Sequence, residues 1–391
     1  MKIAILTSGI LPVPAAQGGA VENLIDFYLE YNNQYQIHDI TVYSIAPSHF
    51  TPNADTPYTH YHYIDIKNIW CRLKRAWYAH THTEGYYNPY IEYFFYESLK
   101  HIKKQQYDAI ILENRPGYAL PLSKTSDAPI IIHLHNDFLN ASTKDATDIY
   151  QVCHSIITVS DFIKQRVETI LPHQQKVTTV HNGIDLQQFY DATPLSRSSL
   201  GFTEKDFIVV YSGRINPEKG VKELIEAFKQ LKDYPQIKLL ILGGSFFGNE
   251  RGNDPFIQSL QAESKAFANR IVFTGFIPYA QIPAYLKMAN VAVIPSMWDD
   301  PFPTTILEAM ATGLPIIATH SGGIKEACEE CAIIIEKSSV IEELYTSLLR
   351  LYNTPSLCTS MSEKGLAISK QYAKELYAKN FFKAIASFFS K

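Results

Sequence analysis

The sequence is poor in cysteine, has no excess of either charge and lacks long uncharged apolar runs. Its five cysteines are too few and too scattered for a disulfide framework, and they suit a reducing cytosol. The 35 Lys and Arg against 39 Asp and Glu give a net charge of −4, without the basic footprint of a nucleic-acid-binding protein. No apolar run approaches the ~18 residues of a membrane span. We predict a cytoplasmic protein that binds no nucleic acid.

Several common motifs are also missing. The sequence has neither GxGxxG nor GxxxxGK, which disfavours nicotinamide and NTP-hydrolysing sites. It has no Asp-x-Asp and no HExxH, so we expect no metal and no other cofactor. Cys328 and Cys331 form the only CxxC, and without a second pair we interpret them as ordinary thiols. Residues 1–7 are too short for a signal-peptide core and are typical of a first strand.

What the sequence does have is an alternation of apolar runs with amphipathic stretches, the pattern of βαβ units. The length favours two domains, with three as the alternative. The predicted strands are 2–8, 40–46, 108–113, 129–134, 155–159 and 176–180, then 207–211, 238–242, 270–273, 291–295, 315–319 and 331–335. The clearest helices between them are 21–31, 90–104, 221–232, 282–289 and 306–312.

A polar stretch at 186–206, rich in Pro, Ser and charge, separates the two sets of strands. We therefore predict an α/β protein with two Rossmann-like, doubly wound domains, residues 1–190 and 191–370, facing a central cleft. An amphipathic helix follows at 371–391. Polar and Gly-rich segments come directly after strands in both halves, and ligands of such sheets bind outside the carboxyl ends of the strands. A cleft between two such edges suits a two-part ligand.

Two cations carry the first chemical signal. Arg214 and Lys219 lie in the segment GRINPEKG, which begins at Gly213 between a strand and a helix. A helix N-terminus with two cations suits a phosphate or pyrophosphate. The alternative is a solvated basic turn.

Two carboxylates carry the second signal. Asp300 lies on a loop and Glu308 one turn into the next helix, so both can face one ligand and accept hydrogen bonds from sugar or ribose hydroxyls. The first-turn amides of Thr304, Thr305 and Ile306 are suited to an anion. Alternatively, Asp300 only caps the helix or faces solvent.

The first half offers weaker signals. His135 ends a predicted strand, and we expect His133 and His135 to point to opposite faces, so that at most one reaches a site. A lone histidine is more often structural unless its strand ends at a site, as this one does. Gly18 and Gly19 open a helix and allow a phosphate to approach the backbone, although two glycines alone are a weak motif.

Taken in order, these motifs resemble the retaining GT-B glycosyltransferases of family 4. In the first half the resemblance includes Gly18-Gly19, His135-Asn136-Asp137 and Asn182-Gly183-Ile184-Asp185. In the second half it includes the segment with Arg214 and Lys219, the segment from Asp300 through Glu308, Gly322-Gly323 and Glu326. It implies a nucleotide-sugar donor, preferably a UDP-sugar, bound mainly by the second domain without a metal. It implies a glycan or lipid-linked acceptor bound by the first domain, onto which helix 371–391 packs back.

The resemblance also assigns roles by position. Arg214 and Lys219 would bind the diphosphate, Glu308 the ribose and Asp300 the hydroxyls of the donor sugar. His135 would lie beside the transferred sugar, and Gly18 and Gly19 would line the phosphates and the acceptor. The backbone around Phe276 would contact the base. Two positions depart from the family's pattern, with Asp300 in place of Glu and Pro303 in place of Gly. Asp is one methylene shorter and Pro donates no hydrogen bond, so the donor sugar is left open.

Three rival functions remain from the sequence. A nucleotide-sugar 2-epimerase would share the fold but need no acceptor. A non-catalytic sugar-nucleotide-binding protein would keep the cleft without the chemistry. A dehydrogenase fits two α/β domains but lacks the glycine fingerprint.

Residues 58–104 combine many aromatic side chains with Lys67, Arg72, Lys74 and Arg75. We interpret this region as an acceptor platform or as a peripheral contact with the inner face of the cell membrane. Packing of its aromatic helices on the first sheet is the alternative.

Overall fold

The computed structural model describes residues 1–15, 19–47, 55–81, 89–172, 175–245 and 254–390. Two compact units make up the fold, one formed by Met1–His181 with Glu375–Lys391 and the other by Asn182–Lys374. Each unit is built around one parallel sheet. Within the described residues, no helix has the length and apolar character needed to cross a bilayer.

The first unit contains a seven-stranded sheet of order β3-β2-β1-β4-β5-β6-β7, with all neighbours parallel. The strands are β1 (Lys2–Leu6), β2 (Asp39–Ile45), β3 (Thr59–Ile64), β4 (Ala109–Glu113), β5 (Ile130–Leu134), β6 (Ser155–Thr158) and β7 (Val177–Thr179). The helices are α1 (Ala20–Tyr35), α2 (Ile69–Thr81), α3 (Pro89–Ile102), α4 (Ala119–Ser123), α5 (Ala146–Val152) and α6 (Asp161–Glu168). The central strands are buried on both faces, as their continuous apolar runs require.

The prediction of six strands in this unit was wrong, because β3 is a seventh. It reads Thr-His-Tyr-His-Tyr-Ile and forms one edge of the sheet beside β2. Tyr61 and Tyr63 stack on each other with ring centroids 5.7 Å apart and remain only half-buried. An edge strand needs no continuous apolar run, so the pattern that identified the central strands did not identify this one.

The second unit contains a six-stranded parallel sheet of order β10-β9-β8-β11-β12-β13, the strand order of the Rossmann fold. Its strands are β8 (Phe207–Ser212), β9 (Ile237–Leu242), β10 (Ile271–Gly275), β11 (Val291–Ile294), β12 (Ile316–Thr319) and β13 (Ala332–Ile335). Its helices are α7 (Leu186–Tyr190), α8 (Val221–Lys229), α9 (Pro255–Glu263), α10 (Ile282–Lys287), α11 (Thr304–Thr312), α12 (Ile324–Cys328), α13 (Val340–Asn353) and α14 (Pro355–Ser369).

The helix α15 (Lys374–Phe389) returns to the first unit and completes its core. Phe381 stacks on Tyr28 of α1, with ring centroids 4.3 Å apart and an interplanar angle of 5°. Phe382 meets the same tyrosine edge-on at 6.2 Å. The ring of Phe381 is also 5.2 Å from the ring of His133 on β5. These aromatic contacts therefore pack against the carboxyl-terminal part of β5.

All five cysteines are unpaired thiols. Cys328 and Cys331 are buried, and the Sγ atom of Cys331 lies 3.5 Å from the Sδ atom of Met310. Burial raises the pKa of Cys331 to about 11, which disfavours the reactive thiolate. The pair therefore packs as small apolar side chains.

The start of α8 depends on one glycine. Gly220 has φ +71°, and a Cβ atom there would lie 1.8 Å from the carbonyl oxygen of Pro295. The close approach brings the loop after β8 against the loop after β11. A side chain at this position would force the two loops apart.

We expect Gly220→Ala to lower the free energy of unfolding by about 3 kcal/mol or more, because backbone strain and a steric clash combine. Gly201→Ala is the matched control, since Gly201 has φ +77° but no described atom within 4 Å of the added methyl group. The control should lose only the ~1 kcal/mol of left-handed strain. Urea unfolding of both variants tests this, and equal losses would contradict the role given to the Pro295 contact.

Candidate functional site

The second unit has its topological switch point between β8 and β11. The chain passes outward in one direction from β8 through β9 to β10, and in the other from β11 through β12 to β13. Ligands of such sheets bind outside the carboxyl ends of the strands at this point. The segments after β8 and β11 carry Arg214, Lys219 and Asp300, so the switch point brings the predicted residues to one edge of the sheet.

The segment after β8 is held by its own backbone and side chains. Gly213 has φ +150°, and the carbonyl of Arg214 accepts a hydrogen bond of 2.6 Å from the hydroxyl of Tyr211. Asn216 caps a short 3₁₀ turn by accepting a hydrogen bond from the amide of Lys219. Lys219 is thereby placed two residues before α8, with Gly220 between them, and the N-terminus of α8 favours anions.

Lys219 and Asp300 form an ion pair. The Nζ atom of Lys219 lies 2.5 Å from Oδ2 of Asp300, and it also sits over the ring of Trp298, 5.2 Å from the centroid. The backbone reinforces this contact, because the carbonyl of Glu218 accepts a hydrogen bond of 2.8 Å from the amide of Met297. The structure therefore joins the predicted phosphate-binding cation to the predicted sugar-binding carboxylate.

The backbone of Asp300 is also held by the segment that follows β12. Its carbonyl oxygen accepts a hydrogen bond of 2.8 Å from the amide of Gly323. Gly322 has φ +56°, and a Cβ atom there would lie 2.2 Å from that same oxygen. Gly322 thus permits a close backbone contact that a residue with a Cβ atom would not allow.

The helix α11 begins at Thr304, two residues earlier than the predicted helix. Pro303 precedes it, and no side chain caps the helix. The amides of Thr304 and Thr305 belong to the first turn, as predicted for an anion site. The amide of Ile306 already donates to the carbonyl of Pro303 over 3.2 Å, so it is less suited to that role.

Glu308 is buried one turn into α11. Its carboxylate accepts hydrogen bonds from the side chains of Thr304 and Tyr279. Burial outweighs these two bonds and raises the pKa of Glu308 to about 7. Sequence reasoning missed Tyr279 because it lies on a different loop, after β10. Phe276 is half-buried in that same loop.

The first unit places Gly19 directly before α1, whereas Gly18 lies outside the described residues. Gly19 has φ +111°, and a Cβ atom there would lie 2.2 Å from the carboxylate of Glu22. That carboxylate accepts a hydrogen bond of 3.3 Å from the hydroxyl of Ser8. Burial raises the pKa of Glu22 to about 7, so the acidic group beside the helix N-terminus is partly protonated near neutral pH.

His135 is buried at the carboxyl end of β5 within a hydrogen-bonded group. Its Nε2 atom lies 2.9 Å from Oε2 of Glu113, and Nδ1 of His133 lies 3.1 Å from the same oxygen. The hydroxyl of Tyr28 donates to Oε1 of Glu113 over 2.9 Å. Sequence reasoning did not select Glu113, although it ends a predicted strand adjacent to β5.

The prediction that His133 and His135 point to opposite faces was wrong. Both rings contact Glu113, and their centroids are 4.1 Å apart. Side chains alternate along a strand, so residues two apart share a face. The signal in the sequence was therefore a His-x-His pair on one face, next to the acidic end of β4.

Glu113, His133 and His135 also have the spacing of a metal site, since one ligand atom from each lies within 4.8 Å of the others. The carboxylate oxygens of Glu113, however, already accept hydrogen bonds from both imidazoles and from Tyr28. The arrangement is that of a hydrogen-bonded network. An ion would have to displace these protons.

The fold is that of a GT-B glycosyltransferase. The crystal structure of Anabaena HepE in complex with UDP and glucose has a TM-score of 0.75, covers 99% of this chain and 100% of that chain, and is 20% identical. YtcC of Bacillus subtilis (strain 168), a glycosyltransferase by name, is 27% identical over 93% of this chain and 86% of its own length. Alpha-monoglucosyldiacylglycerol synthase of Acholeplasma laidlawii is 28% identical over 58% of this chain and 56% of its own length.

Two family models divide the chain between them. Residues 34–188 match Glycosyltransferase Family 4, and residues 193–367 match Glycosyl transferases group 1. The chain therefore belongs to the family 4-like glycosyltransferases of the GT-B fold.

The raised pKa of Glu308 predicts a dependence of stability on pH. The folded state holds this proton up to about pH 7 and the unfolded state loses it near pH 4.5, so the contribution of Glu308 to stability falls as pH rises through that window. We expect Glu308→Gln to remove this dependence and to gain about 3 kcal/mol relative to the wild type between pH 4 and pH 8.

Urea unfolding of both proteins at the two pH values measures the difference. Glu330→Gln, at an exposed position of the same unit, is the control and should keep the wild-type pH dependence. An unchanged dependence in Glu308→Gln would show that the buried carboxyl titrates normally.

Proposed function

We propose that the protein is a retaining, metal-independent glycosyltransferase that moves a hexose-type sugar from a UDP-sugar to a glycan or lipid-linked acceptor. In this proposal the second unit binds the donor, and the first unit contributes His135 and the acceptor surface. The observation that carries the proposal is the contact between Lys219 and Asp300 at the switch point of the second unit.

The contact supports a donor that carries a diphosphate next to a sugar. An ammonium group has three protons, so one hydrogen bond to Asp300 leaves two for phosphate oxygens. The remaining lone pairs of the Asp300 carboxylate can accept hydrogen bonds from sugar hydroxyls. The ammonium of Lys219 and the carboxylate of Asp300 are 2.5 Å apart. Lys219 can therefore contact the phosphate while Asp300 contacts the sugar on the other side of the same sugar–phosphate bond.

The charges at this site also support the reaction. Breaking the sugar–phosphate bond places negative charge on the diphosphate and positive charge on the sugar. Arg214, Lys219 and the N-terminus of α8 stabilise the leaving group, because they are positioned before the charge develops. Arg214 presents its N–H donors in a rigid planar fork that matches two oxygens of one phosphate, a bidentate geometry that the ammonium group of a lysine does not have.

Glu308 suits a ribose. Its ionised carboxylate accepts two hydroxyl hydrogen bonds, and Tyr279 and Thr304 orient it. The pKa of about 7 implies that the protonated form competes with the ribose-binding form below neutral pH. Donor binding should therefore weaken as pH falls through this value.

Retention in this proposal arises by front-side attack, with a leaving-group oxygen helping to deprotonate the acceptor. The matched motifs contain no carboxylate in the position of a nucleophile. Asp300, the nearest candidate, is already paired with Lys219, which makes it a weaker nucleophile. This favours front-side attack over a covalent intermediate.

Two related proteins support the donor and acceptor classes. Anabaena HepE has been crystallised with UDP and glucose, which favours a UDP-linked hexose. The Acholeplasma laidlawii relative is a glucosyldiacylglycerol synthase by name, which favours assembly of a glycolipid or polysaccharide.

The test is a panel of UDP-, GDP-, ADP- and dTDP-sugars incubated with the protein in EDTA, with and without simple glycan and glycolipid acceptors. We expect UDP release from one sugar nucleotide, undiminished by EDTA, and a product of retained anomeric configuration by NMR. Loss of activity in EDTA would refute metal independence. Epimerised sugar without transfer would favour a 2-epimerase, and binding without turnover on any acceptor would favour a binding protein.

Alanine variants separate the diphosphate site from general charge. We expect Arg214→Ala and Lys219→Ala each to lower the turnover of the donor by about 100-fold or more. Lys222→Ala removes an exposed cation of α8 and should leave turnover unchanged. Wild-type turnover in Arg214→Ala would overturn the diphosphate assignment.

We also propose that α2 binds the membrane surface that carries a lipid-linked acceptor. Four large apolar side chains of this helix are solvent-exposed, namely Ile69 at 67%, Trp70 at 67%, Leu73 at 59% and Trp77 at 59%. At 100° per residue they fall within one sector of about 100°. Cys71 and Tyr78 are buried on the opposite face, which attaches the helix to the unit.

The charges beside this apolar face favour a bilayer with anionic headgroups. Arg72 and Lys67 are exposed cations next to it. Lys74 pairs with Glu97 over 2.9 Å and lies over the ring of Tyr93, so its charge is partly used within the unit. An apolar helix face with tryptophan and flanking cations is typical of helices that lie in a membrane interface. The aromatic residues of α3, by contrast, are mostly buried in the unit.

We expect the wild type to sediment with phosphatidylglycerol vesicles and the double variant Trp70→Ser with Trp77→Ser to lose at least tenfold in affinity. Arg72→Glu should weaken binding to anionic vesicles more than binding to phosphatidylcholine vesicles. Tyr35→Ser, at an exposed aromatic residue of α1, is the control and should bind normally. Equal vesicle binding by the double variant and the wild type would refute the role of α2.

A further inference from the structure

Glu113 is a buried group to which the binding of phosphate, ribose or sugar assigns no role. Glu113 lies at the carboxyl end of β4, is fully buried and accepts hydrogen bonds from three side chains. Burial alone would raise its pKa, but the adjacent imidazoles of His133 and His135 outweigh burial and lower the pKa of Glu113 to about 2. The carboxylate is therefore ionised and can only accept hydrogen bonds.

An ionised carboxylate determines which nitrogen of His135 carries the proton. Nε2 lies 2.9 Å from Oε2 of Glu113, so Nε2 must be the donor. Burial and the neighbouring His133 lower the pKa of His135 to about 4, which leaves the ring neutral near pH 7. A neutral ring with its proton on Nε2 has a bare lone pair on Nδ1.

This network has two unsatisfied nitrogens, Nε2 of the fully buried His133 and Nδ1 of His135, which follows β5 and is 8% exposed. Of the two, Nδ1 of His135 lies beyond the end of the strand. It is buried and has no hydrogen-bond partner among the described residues. A buried acceptor without a donor costs free energy, so a hydrogen-bond donor supplied from outside the protein would stabilise Nδ1 of His135. Sugar hydroxyls are such donors.

We propose that Glu113 is a positioning residue that fixes the Nε2–H tautomer of His135 and so makes Nδ1 a hydrogen-bond acceptor for a hydroxyl of the sugar substrate. This inference rests on the proposed glycosyl transfer. It gives Glu113 a role without direct contact to the substrate. The reversed tautomer would present a proton where the hydroxyl needs an acceptor.

The surroundings hold the network rigidly. Tyr28 on α1 donates to Oε1 of Glu113, and its ring stacks on Phe381 of α15. The other titratable groups facing Glu113 are His133 on β5, Glu22 on α1 and Tyr377 on α15. The backbone amide of His135 is fixed as well, because it donates to the side chain of Asn114, which follows Glu113 in a left-handed conformation.

The test is Glu113→Gln in the full-length protein. A glutamine amide can donate to Nε2, which allows the proton of His135 to move to Nδ1. We expect kcat/KM for the donor to fall by about 10- to 100-fold, the range for leaving a buried polar group mispaired. In ¹⁵N-histidine NMR spectra assigned with His135→Gln, Nδ1 should be unprotonated in the wild type and protonated in Glu113→Gln.

Glu92→Gln is the matched control. Glu92 is another fully buried carboxylate of the same unit, and it accepts a hydrogen bond of 2.8 Å from the hydroxyl of Tyr118. Glu92→Gln should leave both kcat/KM and the His135 tautomer unchanged.

If Glu113→Gln does not fold, Tyr28→Phe and Tyr118→Phe form a milder pair of variants. Tyr28→Phe removes the hydroxyl that donates to Glu113, and Tyr118→Phe removes the one that donates to Glu92. We then expect Tyr28→Phe to shift the His135 resonances and Tyr118→Phe not to.

Two results would overturn the inference. One is a wild-type tautomer and wild-type kcat/KM in folded Glu113→Gln. The other is an equimolar bound metal ion, detected by elemental analysis of the purified wild type and lost in Glu113→Gln, which would make the three residues ligands. A wild type that turns over no sugar nucleotide would instead refute the proposed function, and the NMR result would still decide the tautomer.

Discussion

The ion pair between Lys219 and Asp300 holds together two segments that the sequence separates by a whole series of strands and helices. It can form only because β8 and β11 are neighbours at the switch point and because the backbones beside it touch. Gly220 lies against Pro295, and Gly322 lies against the carbonyl of Asp300. The geometry of this ion pair thus depends on glycines at least as much as on the two charges. A Cβ atom at either glycine would clash with the backbone of the neighbouring segment.

Two buried carboxylates, those of Glu113 and Glu308, show how neighbouring groups decide ionisation. Both lose solvation, which alone favours the protonated form. Glu113 has two imidazoles and a tyrosine hydroxyl directed at it, and its pKa falls to about 2. Glu308 has two hydroxyl donors and no cation acting on it among the described residues, and its pKa rises to about 7. One carboxylate is a permanent acceptor that orients its neighbours, and the other can release its proton when a ligand requires the charge.

The sequence predicted what is local and missed what arises between distant elements. The central strands were predicted because burial on both faces requires a continuous apolar run, while the edge strand β3 has no such requirement. The candidate residues Arg214, Lys219, Asp300 and Glu308 could be selected from the sequence because each lies in a short motif after a strand. Tyr279 beside Glu308, and Glu113 beside His135, were missed because pairing across elements leaves no local pattern. His133 and His135 are two residues apart along the chain, so the alternation of side chains along a strand already predicts that they share a face.

The helix α15 has a consequence for how the protein is made. Its Phe381 fills the space between Tyr28 and His133, so the first unit lacks part of its core until residues 374–389 have been synthesised. The second unit, by contrast, has its whole sequence between residues 182 and 374. On the ribosome the unit that is encoded second is therefore the first able to complete its fold, while the first waits with an apolar surface uncovered.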